Sequence, residues 1–311
     1  AGVNNIPVDS CTERGIVVFN APGANANAVK ELTVTAMLLA ARDILGGISY
    51  VQSEGKGLDD EALHKVVEGG KKAYGGSELK GKTLGVIGLG AIGSQVAETG
   101  LTLGMNVIGY DPALSVEAAW RLPREVQRME NLQSLLSRSD YVTLHLPVLE
   151  ATRNMINCEM IDSFKQDAVL LNFSREKLVD TAAIAQALDA GKVRRYMTDF
   201  PVRELIGNDK VIAMPHLGAS TAEAEENCAI MVADQLIDFL DNGNIKNSVN
   251  FPNITMERNG GYRIAFSNRN VPKMLNQVLS ILSDRDHNVI DMINKSRDDV
   301  AYNLIDVERE P

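Results

Sequence analysis

The sequence predicts an α/β protein whose central part is a parallel β-sheet with helices on both faces. Two observations predict it: short apolar runs alternate with stretches of helical periodicity, and a glycine-rich turn joins the first run to a helix. The predicted strands are 83–87, 106–110, 141–146, 168–172, 195–198 and 211–213. The predicted helices among them are 91–103, 132–136, 181–190 and 222–242.

The segments outside the sheet have their own patterns. Apolar spacing predicts one long helix over residues 29–51, followed by a loop marked by Gly69-Gly70 and Gly75-Gly76. Residues 248–260 contain Pro252, several asparagines and a closing glycine, and are interpreted as a linker. The tail shows a β-α-β-β pattern, with strands at 262–267, 289–294 and 301–307 and a helix near 271–284.

Both ends of the sequence carry strand-like patterns without neighbours. Residues 1–5 resemble the end of a strand that nothing precedes, and residues 309–311 directly follow a predicted strand. We therefore expect a segment of a longer chain, with an incomplete first and last domain. We also expect residues 1–311, produced alone, to be inactive or poorly folded.

Composition excludes several classes of protein. The 311 residues, about two domains' worth, are 45% apolar and 23% charged, values typical of globular proteins. A net charge of −10 disfavours nucleic acid and anionic membranes as partners. The scattered Cys11, Cys158 and Cys228 form no C-x-x-C pair, so no metal site or disulfide is predicted, and buried thiols in a reducing cytoplasm are expected. No signal peptide is apparent, and Arg42 and Asp43 interrupt the longest apolar stretch, which therefore does not predict a membrane span.

A dinucleotide fingerprint follows the first predicted strand. Gly88-Leu89-Gly90-Ala91-Ile92-Gly93 has the G-x-G-x-x-G spacing, in which the glycines permit a tight turn, close approach of a pyrophosphate and helix packing. The pyrophosphate would lie at the positive end of the following helix. Asp111, 21 residues beyond Gly90, ends the next strand, where a carboxylate binds the adenosine ribose and repels a 2′-phosphate. NAD is therefore predicted over NADP; alternatively, Asp111 only begins the turn before Pro112.

Three charged residues follow three successive predicted strands. Arg175, Glu204 and His216 each lie just beyond a strand end, and ligands of such sheets bind at the carboxyl ends of the strands. Taken singly, the Arg and Glu are equally explained as solvated surface residues, and the His as a packed side chain. Together, beside a nicotinamide site, they are predicted to form a proton-transfer set.

The chain resembles the D-isomer-specific 2-hydroxyacid dehydrogenases over essentially its whole length. The most specific motifs are the glycine fingerprint, the Arg175 segment, Pro215-His216-Leu217-Gly218-Ala219-Ser220-Thr221 and Asn247-Ser248-Val249-Asn250-Phe251-Pro252. Where the family usually has Ala-Arg-Gly, this chain has Ser174-Arg175-Glu176. The resemblance is strongest to the branch that oxidises D-3-phosphoglycerate in L-serine biosynthesis. Alternatives are a dehydrogenase for another 2-hydroxy acid, such as lactate or glycerate, and a non-catalytic NAD-sensing protein with the same fold.

The resemblance implies roles for particular residues. His216 would exchange the hydroxyl proton, Glu204 would orient the imidazole, and Arg175 would bind the substrate carboxylate. Implied substrate contacts are Gly2, Val3, Asn25, Arg175 and His216. Implied NAD contacts are Gly88, Gly90, Ala91, Ile92, Gly93, Asp111, Pro112, His145, Pro147, Thr152, Asn172, Phe173, Ser174, Asp199, His216 and Gly218.

The resemblance also implies a domain organisation and an assembly. Residues 1–24 would be a remnant of a flavodoxin-like substrate-binding domain, 25–220 the Rossmann-type NAD-binding domain, 221–256 a return helix and linker, and 257–311 a partial α+β ACT domain. In that tail, Asn268, Asn270 and Asn288 match positions that bind L-serine as a regulator, although the family has a His where Asn268 stands. Alternatively, these asparagines simply cap turns. A homodimer or homotetramer that pairs through the tail sheet is expected.

Overall fold

The structure is a computed structural model that describes residues 5–311, without the side chain of Glu117. The predicted strand end at residues 1–5, apart from Asn5 in a turn, and the predicted substrate contacts Gly2 and Val3 lie outside the described residues. The chain divides into two compact units. One is formed by residues 26–221, and the other by the N-terminal segment up to Asn25 together with residues 222–311.

The unit formed by residues 26–221 contains a seven-stranded sheet in the order β3-β2-β1-β4-β5-β6-β7, and all neighbouring strands in it are parallel. This order reverses between β1 and β4, which is the arrangement of dinucleotide-binding sheets. The strands are β1 (Thr83–Ile87), β2 (Asn106–Tyr110), β3 (Gln127–Arg128), β4 (Tyr141–Leu144), β5 (Ala168–Asn172), β6 (Val193–Thr198) and β7 (Val211–Ala213). The predicted parallel sheet is confirmed, and β3 is a short edge strand that the sequence pattern did not reveal.

Helices cover both faces of this sheet. Alternate residues of the central strands enter two separate buried clusters, so that Val86 packs in one and Ile87 in the other. The helices of this unit are α2 (Ala26–Ala41), α3 (Ile44–Glu54), α4 (Asp60–Gly70), α5 (Ala91–Thr102), α6 (Val116–Ala119), α7 (Leu132–Leu136), α8 (Cys158–Asp162) and α9 (Thr181–Asp189). The continuous apolar character of the strands thus follows from burial on both sides.

The single long helix predicted over residues 29–51 is instead two helices, α2 and α3, bent by 64°. The break lies at Arg42 and Asp43. The carboxylate of Asp43 accepts a hydrogen bond from the backbone N–H of Gly46, and so caps the start of α3. An aspartate that caps a new helix ends the old one, although the apolar spacing continues across it.

The loop predicted around Gly69-Gly70 is also wrong, because α4 runs through these two glycines. Asp59 begins α4 by accepting a hydrogen bond from the N–H of Ala62. A short 3₁₀ helix, Lys71–Tyr74, follows directly. The glycines lie in the last turn of α4, where they cost less helix stability than in its middle.

The other unit contains the predicted β-α-β-β tail. It begins with α1 (Val8–Glu13) and continues after residue 221 with α10 (Ala222–Asn242). The tail elements are β8 (Tyr262–Arg269), α11 (Met274–Asp284), β9 (Val289–Arg297) and β10 (Val300–Val307). The three strands form an antiparallel sheet in the order β8-β10-β9. The predicted order of elements in the tail is confirmed.

Residues 248–260, predicted as a linker, are largely packed. Phe251 and Ile254 are about 1% exposed and share a buried cluster with Tyr302 and Leu304 of β10. Ile254 also pairs with Ile245 through two backbone hydrogen bonds. The prolines and asparagines of this segment therefore shape a folded connection, not a flexible spacer.

The three cysteines are free thiols, and the prediction that they are buried is wrong. Cys158 is exposed at the start of α8, and Cys11 and Cys228 are partly exposed. No metal-binding group of His, Cys, Asp or Glu is found among residues 5–311. In the same residues no single helix is long and apolar enough to cross a membrane, and α2 with α3 passes that test only as a sharply bent pair.

Candidate active site

The glycine fingerprint lies where the strand order reverses, between the end of β1 and the start of α5. Gly88 has φ +89°, and a Cβ there would lie 2.4 Å from the carbonyl oxygen of His145. A Cβ on Gly93 would lie 1.9 Å from the carbonyl oxygen of Gly88. These two positions therefore require glycine, because the turn and the first helical turn pack directly on backbone.

The third glycine faces open space and fits a bound pyrophosphate. A Cβ on Gly90 would meet no atom within 4 Å, and Gly90 and Ala91 are exposed. The helix α5 begins there without a side-chain cap, so its first amide groups are available to an anion at the positive end of the helix dipole. The residues present thus fit the diphosphate of NAD.

Asp111 is hydrogen-bonded to two backbone groups. One carboxylate oxygen accepts from the N–H of Leu89, inside the glycine turn, at 2.8 Å. The other accepts from the N–H of Ala113 at 2.9 Å, in the turn after Pro112. Asp111 therefore both stabilises the turn after Pro112 and lies beside the glycine loop. Its carboxylate is close to the predicted ribose site.

A buried polar network joins the ends of β5 and β6. The side chain of Asn172, fully buried, accepts from the N–H groups of Ser174 (3.2 Å) and Arg175 (3.4 Å) and donates to the carbonyl oxygen of Arg175 at 2.9 Å. The hydroxyl of Thr198 donates to the carbonyl oxygen of Asn172 and accepts from the N–H of Phe200, each at 3.0 Å. The backbone around Arg175 is therefore fixed relative to that around Phe200.

Asp199 connects this network to the segment that carries His216. Its carboxylate, 1% exposed, accepts from the N–H of Gly218 at 2.8 Å. Its second oxygen has no hydrogen-bond partner in the described part of the chain. Burial raises the pKa of Asp199, while the Gly218 N–H and the nearby His216 work in the opposite direction. A buried carboxyl group with a raised pKa beside an imidazole is typical of a functional site.

Arg175 and His216 both approach the ring of Phe200. The imidazole ring centre of His216 lies 4.6 Å from that of Phe200, with the planes tilted by 48°. The guanidinium carbon of Arg175 lies 6.0 Å from the same ring centre. Both side chains are exposed, so they can reach a ligand. Two of the three predicted catalytic residues are thus brought together.

Glu204, the third predicted member, is not joined to them. It lies exposed in a short 3₁₀ helix, Arg203–Leu205. Within residues 5–311 no hydrogen bond links Glu204 to His216, and the carboxyl group whose pKa His216 affects is that of Asp199. The predicted pairing of Glu204 with His216 stays a prediction.

The other predicted cofactor contacts lie at the same edge of the sheet. The ring of His145, at the end of β4, is hydrogen-bonded through Nε2 to the hydroxyl of Thr143 at 2.9 Å. Burial lowers the pKa of His145 to about 3, so the ring is neutral at physiological pH. The hydroxyl of Ser174 donates to the carbonyl oxygen of Leu144, and that of Thr152 to the carbonyl oxygen of Pro147. Phe173 is buried in the core beneath this edge.

The remaining predicted site residues belong to the other unit. Asn25 is partly exposed in a turn before α2. Asn268 and Asn270 lie at the end of β8, where the Asn270 amide donates to the carbonyl oxygen of Asp298 at 3.1 Å. Asn288 lies before β9, and its amide donates to the carboxylate of Glu308 at 2.7 Å. The two groups of asparagines stand at opposite ends of the tail sheet.

Two residues of the site were missed by the sequence reasoning. Thr198 connects the ends of β5 and β6, and Phe200 contacts both Arg175 and His216. The only available signal was position, since both lie at the end of a predicted strand beside the residues that were identified.

The sheet order and the glycine loop define a dinucleotide-binding protein. The sequence profile described as D-isomer specific 2-hydroxyacid dehydrogenase, NAD binding domain, matches residues 34–218. The chain therefore belongs to the D-isomer-specific 2-hydroxyacid dehydrogenases, and this unit is an NAD-binding domain.

Similar proteins agree with this assignment. The chain is 40% identical over 265 residues to a D-3-phosphoglycerate dehydrogenase of Methanocaldococcus jannaschii, covering 83% of this chain but only 48% of that protein. It is 36% identical over 320 residues to the Haemophilus influenzae protein of the same name, covering 99% of this chain and 73% of that one. This chain thus spans about half the length of the first relative.

A solved structure supports the same fold. The D-lactate dehydrogenase of Aquifex aeolicus, complexed with NAD and lactic acid, superposes with a TM-score of 0.64 at 28% identity. The match covers 81% of this chain and 78% of that one. Members of the family that act on different 2-hydroxy acids therefore share this architecture.

Proposed function

We propose that this chain is the NAD-dependent dehydrogenase part of an enzyme that oxidises D-3-phosphoglycerate to 3-phosphohydroxypyruvate, the first step of L-serine biosynthesis. The observation that carries the proposal is the approach of Arg175 and His216 to one aromatic ring, at the sheet edge that holds the glycine loop. The choice of substrate follows the names of the relatives.

The proposed chemistry assigns each residue one task. NAD, when bound, supplies the acceptor for the hydride from C2 of the hydroxy acid. His216 takes the hydroxyl proton as the carbonyl forms, and returns it in the reverse reaction. Arg175 binds the substrate carboxylate with its planar fork and polarises the oxygen on C2. Glu204 orients the imidazole, as the family resemblance implies.

Asp111 is proposed to select NAD. Its carboxylate stands at the end of β2 beside the glycine turn, bonded to the N–H of Leu89. A fixed negative charge there accepts hydrogen bonds from a ribose hydroxyl and repels a phosphate in the same position.

The tail is proposed to be part of an ACT domain that regulates the enzyme. Its β-α-β-β order and its sheet supply the support, and L-serine is the proposed regulator, with Asn268, Asn270 and Asn288 as contacts. An antiparallel sheet with uncovered strand edges favours assembly of a homodimer or homotetramer. Three free thiols fit a cytoplasmic location.

A substrate panel on the intact protein tests the proposal. D-3-phosphoglycerate, D-glycerate and D-lactate are each offered with NAD, and the absorbance of the reduced nicotinamide is followed. The highest kcat/KM is expected for D-3-phosphoglycerate. A higher value for D-lactate or D-glycerate would indicate a dehydrogenase for another hydroxy acid. NAD binding without turnover of any of them would indicate the non-catalytic sensing protein.

A further inference from the structure

Phe200 occupies a central position between two side chains that the proposed mechanism needs. Its ring centre is 4.6 Å from that of His216 and 6.0 Å from the guanidinium carbon of Arg175. Phe200 itself is partly buried, whereas Arg175 and His216 are exposed. One hydrophobic side chain thus contacts both the guanidinium of Arg175 and the imidazole of His216.

The backbone of Phe200 is anchored by a hydrogen bond to a buried group, whereas the side chains of Arg175 and His216 are not. Its N–H donates to the hydroxyl of Thr198, which is 1% exposed and bonded in turn to the end of β5. By contrast, the ring nitrogens of His216 make no hydrogen bond among the described residues. Within residues 5–311, the guanidinium of Arg175 donates only to the carbonyl oxygen of the adjacent Ser174. The anchored backbone of Phe200 therefore carries a ring that contacts two exposed side chains with few hydrogen bonds of their own.

The physical basis is the negative face of an aromatic ring. Such a face attracts a guanidinium or an imidazolium within about 6 Å of its centre. It also removes rotamers from a side chain packed on it, so that less order must be created when substrate binds. Misplacing a reacting group by about 1 Å costs on the order of 10²-fold in rate.

We propose that Phe200 is a positioning residue, whose ring holds the imidazole of His216 and the guanidinium of Arg175 in the relation that one hydroxy acid requires. The role rests on the proposed function, since it has a catalytic consequence only if these two residues act on substrate. Its structural half, the ordering of His216 by the ring, is independent of activity and can be tested by itself.

The first test observes His216 directly. The protein contains four histidines, so histidine labelling gives four ring signals by NMR, and His216→Gln identifies the one that matters. The ring current of Phe200 is expected to displace this signal upfield in the intact protein. Phe200→Leu abolishes the displacement and Phe200→Tyr retains it. Phe164→Leu, which changes a Phe that is 3% exposed in the core of the same unit, is the matched control and leaves the signal in place.

The second test is kinetic. Phe200→Leu is expected to lower kcat/KM for the hydroxy acid about tenfold to a hundredfold and to leave the KM for NAD within about twofold, with recovery in Phe200→Tyr. Phe164→Leu lowers the melting temperature without this split between the two substrates. If Phe200→Leu does not fold, a through-space NMR contact between the rings of Phe200 and His216 in the unmodified protein supports the proposal, and its absence overturns it.

The outcomes separate this inference from the proposed function. An unchanged His216 signal in Phe200→Leu, with the unmodified protein active, overturns the positioning role and leaves the proposed function standing. A shifted signal, with no turnover of any hydroxy acid by the unmodified protein, supports the ordering of His216 and overturns the proposed function. A shifted signal with unchanged kcat/KM overturns the catalytic role of the positioning.

Discussion

The two sheets of this protein differ in how the carboxyl ends of their strands are arranged. In the parallel sheet every strand has its carboxyl end at one edge, so Arg175 after β5, Phe200 after β6 and His216 after β7 meet there. In the antiparallel tail sheet the carboxyl end of β10 lies at the edge opposite to those of β8 and β9, and Asn288, which precedes β9, lies at the edge opposite to Asn268. The convergence of these predicted site residues therefore follows from the common direction of the strands that precede them.

The tail shows the consequence most clearly. Asn268 pairs with Ala301 at the beginning of β10, and Asn288 accepts through its carbonyl oxygen from the N–H of Glu308, just after the end of β10. At about 3.3 Å per residue, the two asparagines are roughly 23 Å apart along the strand. One amino acid cannot touch both in a single copy of the chain.

The largest expected effect concerns the parallel edge. His216→Ala is expected to lower kcat about 10²–10⁴-fold, because a positioned acid–base group is lost, while the affinity for NAD changes little. Steady-state kinetics and NAD titration of the intact protein measure the two quantities. His64→Ala, on the exposed side of α4, is the control and should be fully active. A near-normal kcat in His216→Ala would remove this residue from the mechanism.

The next effect concerns the charge of Asp111. Asp111→Asn keeps one acceptor oxygen, for the N–H of Leu89 or that of Ala113, replaces the other with an NH2 donor and removes the negative charge. The ratio of kcat/KM for NADP to that for NAD is expected to rise about tenfold or more, because like-charge repulsion is lost. Asp111→Ala, which removes the acceptor as well, should in addition weaken NAD binding by loosening the glycine turn. The same cofactor preference in all three proteins is the result that rejects this role.

Part of the fold and of the candidate site could be predicted from the sequence alone. The strands of the parallel sheet were predictable because they are apolar on both faces. The glycine turn was predictable because glycines at this spacing allow backbone segments to pack closely. The break at Asp43 was not, since the apolar spacing crosses it and only the cap on Gly46 reveals it. Thr198 and Phe200 were missed because their partners lie on other strands, and such contacts leave no local pattern.

A smaller effect is expected on the pH dependence of stability, through the burial of His145 at the edge of the parallel sheet. The unfolded chain binds a proton at His145 near pH 6.5, whereas burial lowers the pKa of His145 in the folded protein to about 3. Stability is therefore complete above about pH 6.5 and is lost progressively as the pH falls toward 3. Between pH 7 and pH 5 the unmodified protein should lose about 2 kcal/mol more than His145→Asn, as measured by urea unfolding. Equal losses in the two proteins would mean that the ring is hydrated in the folded state, and His64→Ala should keep the slope of the unmodified protein.

The smallest effect concerns the tail, where the separation of about 23 Å between Asn268 and Asn288 limits how a ligand can be shared. If Asn270 and Asn288 both contact L-serine, each site must combine Asn270 of one copy with Asn288 of another, across a two-fold seam. Calorimetry on the intact protein should then show no binding for Asn270→Ala or for Asn288→Ala alone. A mixed dimer of the two variants should recover half the sites, because one of the two sites at its seam contains neither substitution. Coupling to catalysis is expected at about 1 kcal/mol, or several-fold inhibition, with D-serine as the control ligand.

Binding by a monomer, or full binding by either single variant, would show that the asparagines at the two ends do not share a ligand, and the tail sheet would then serve assembly alone.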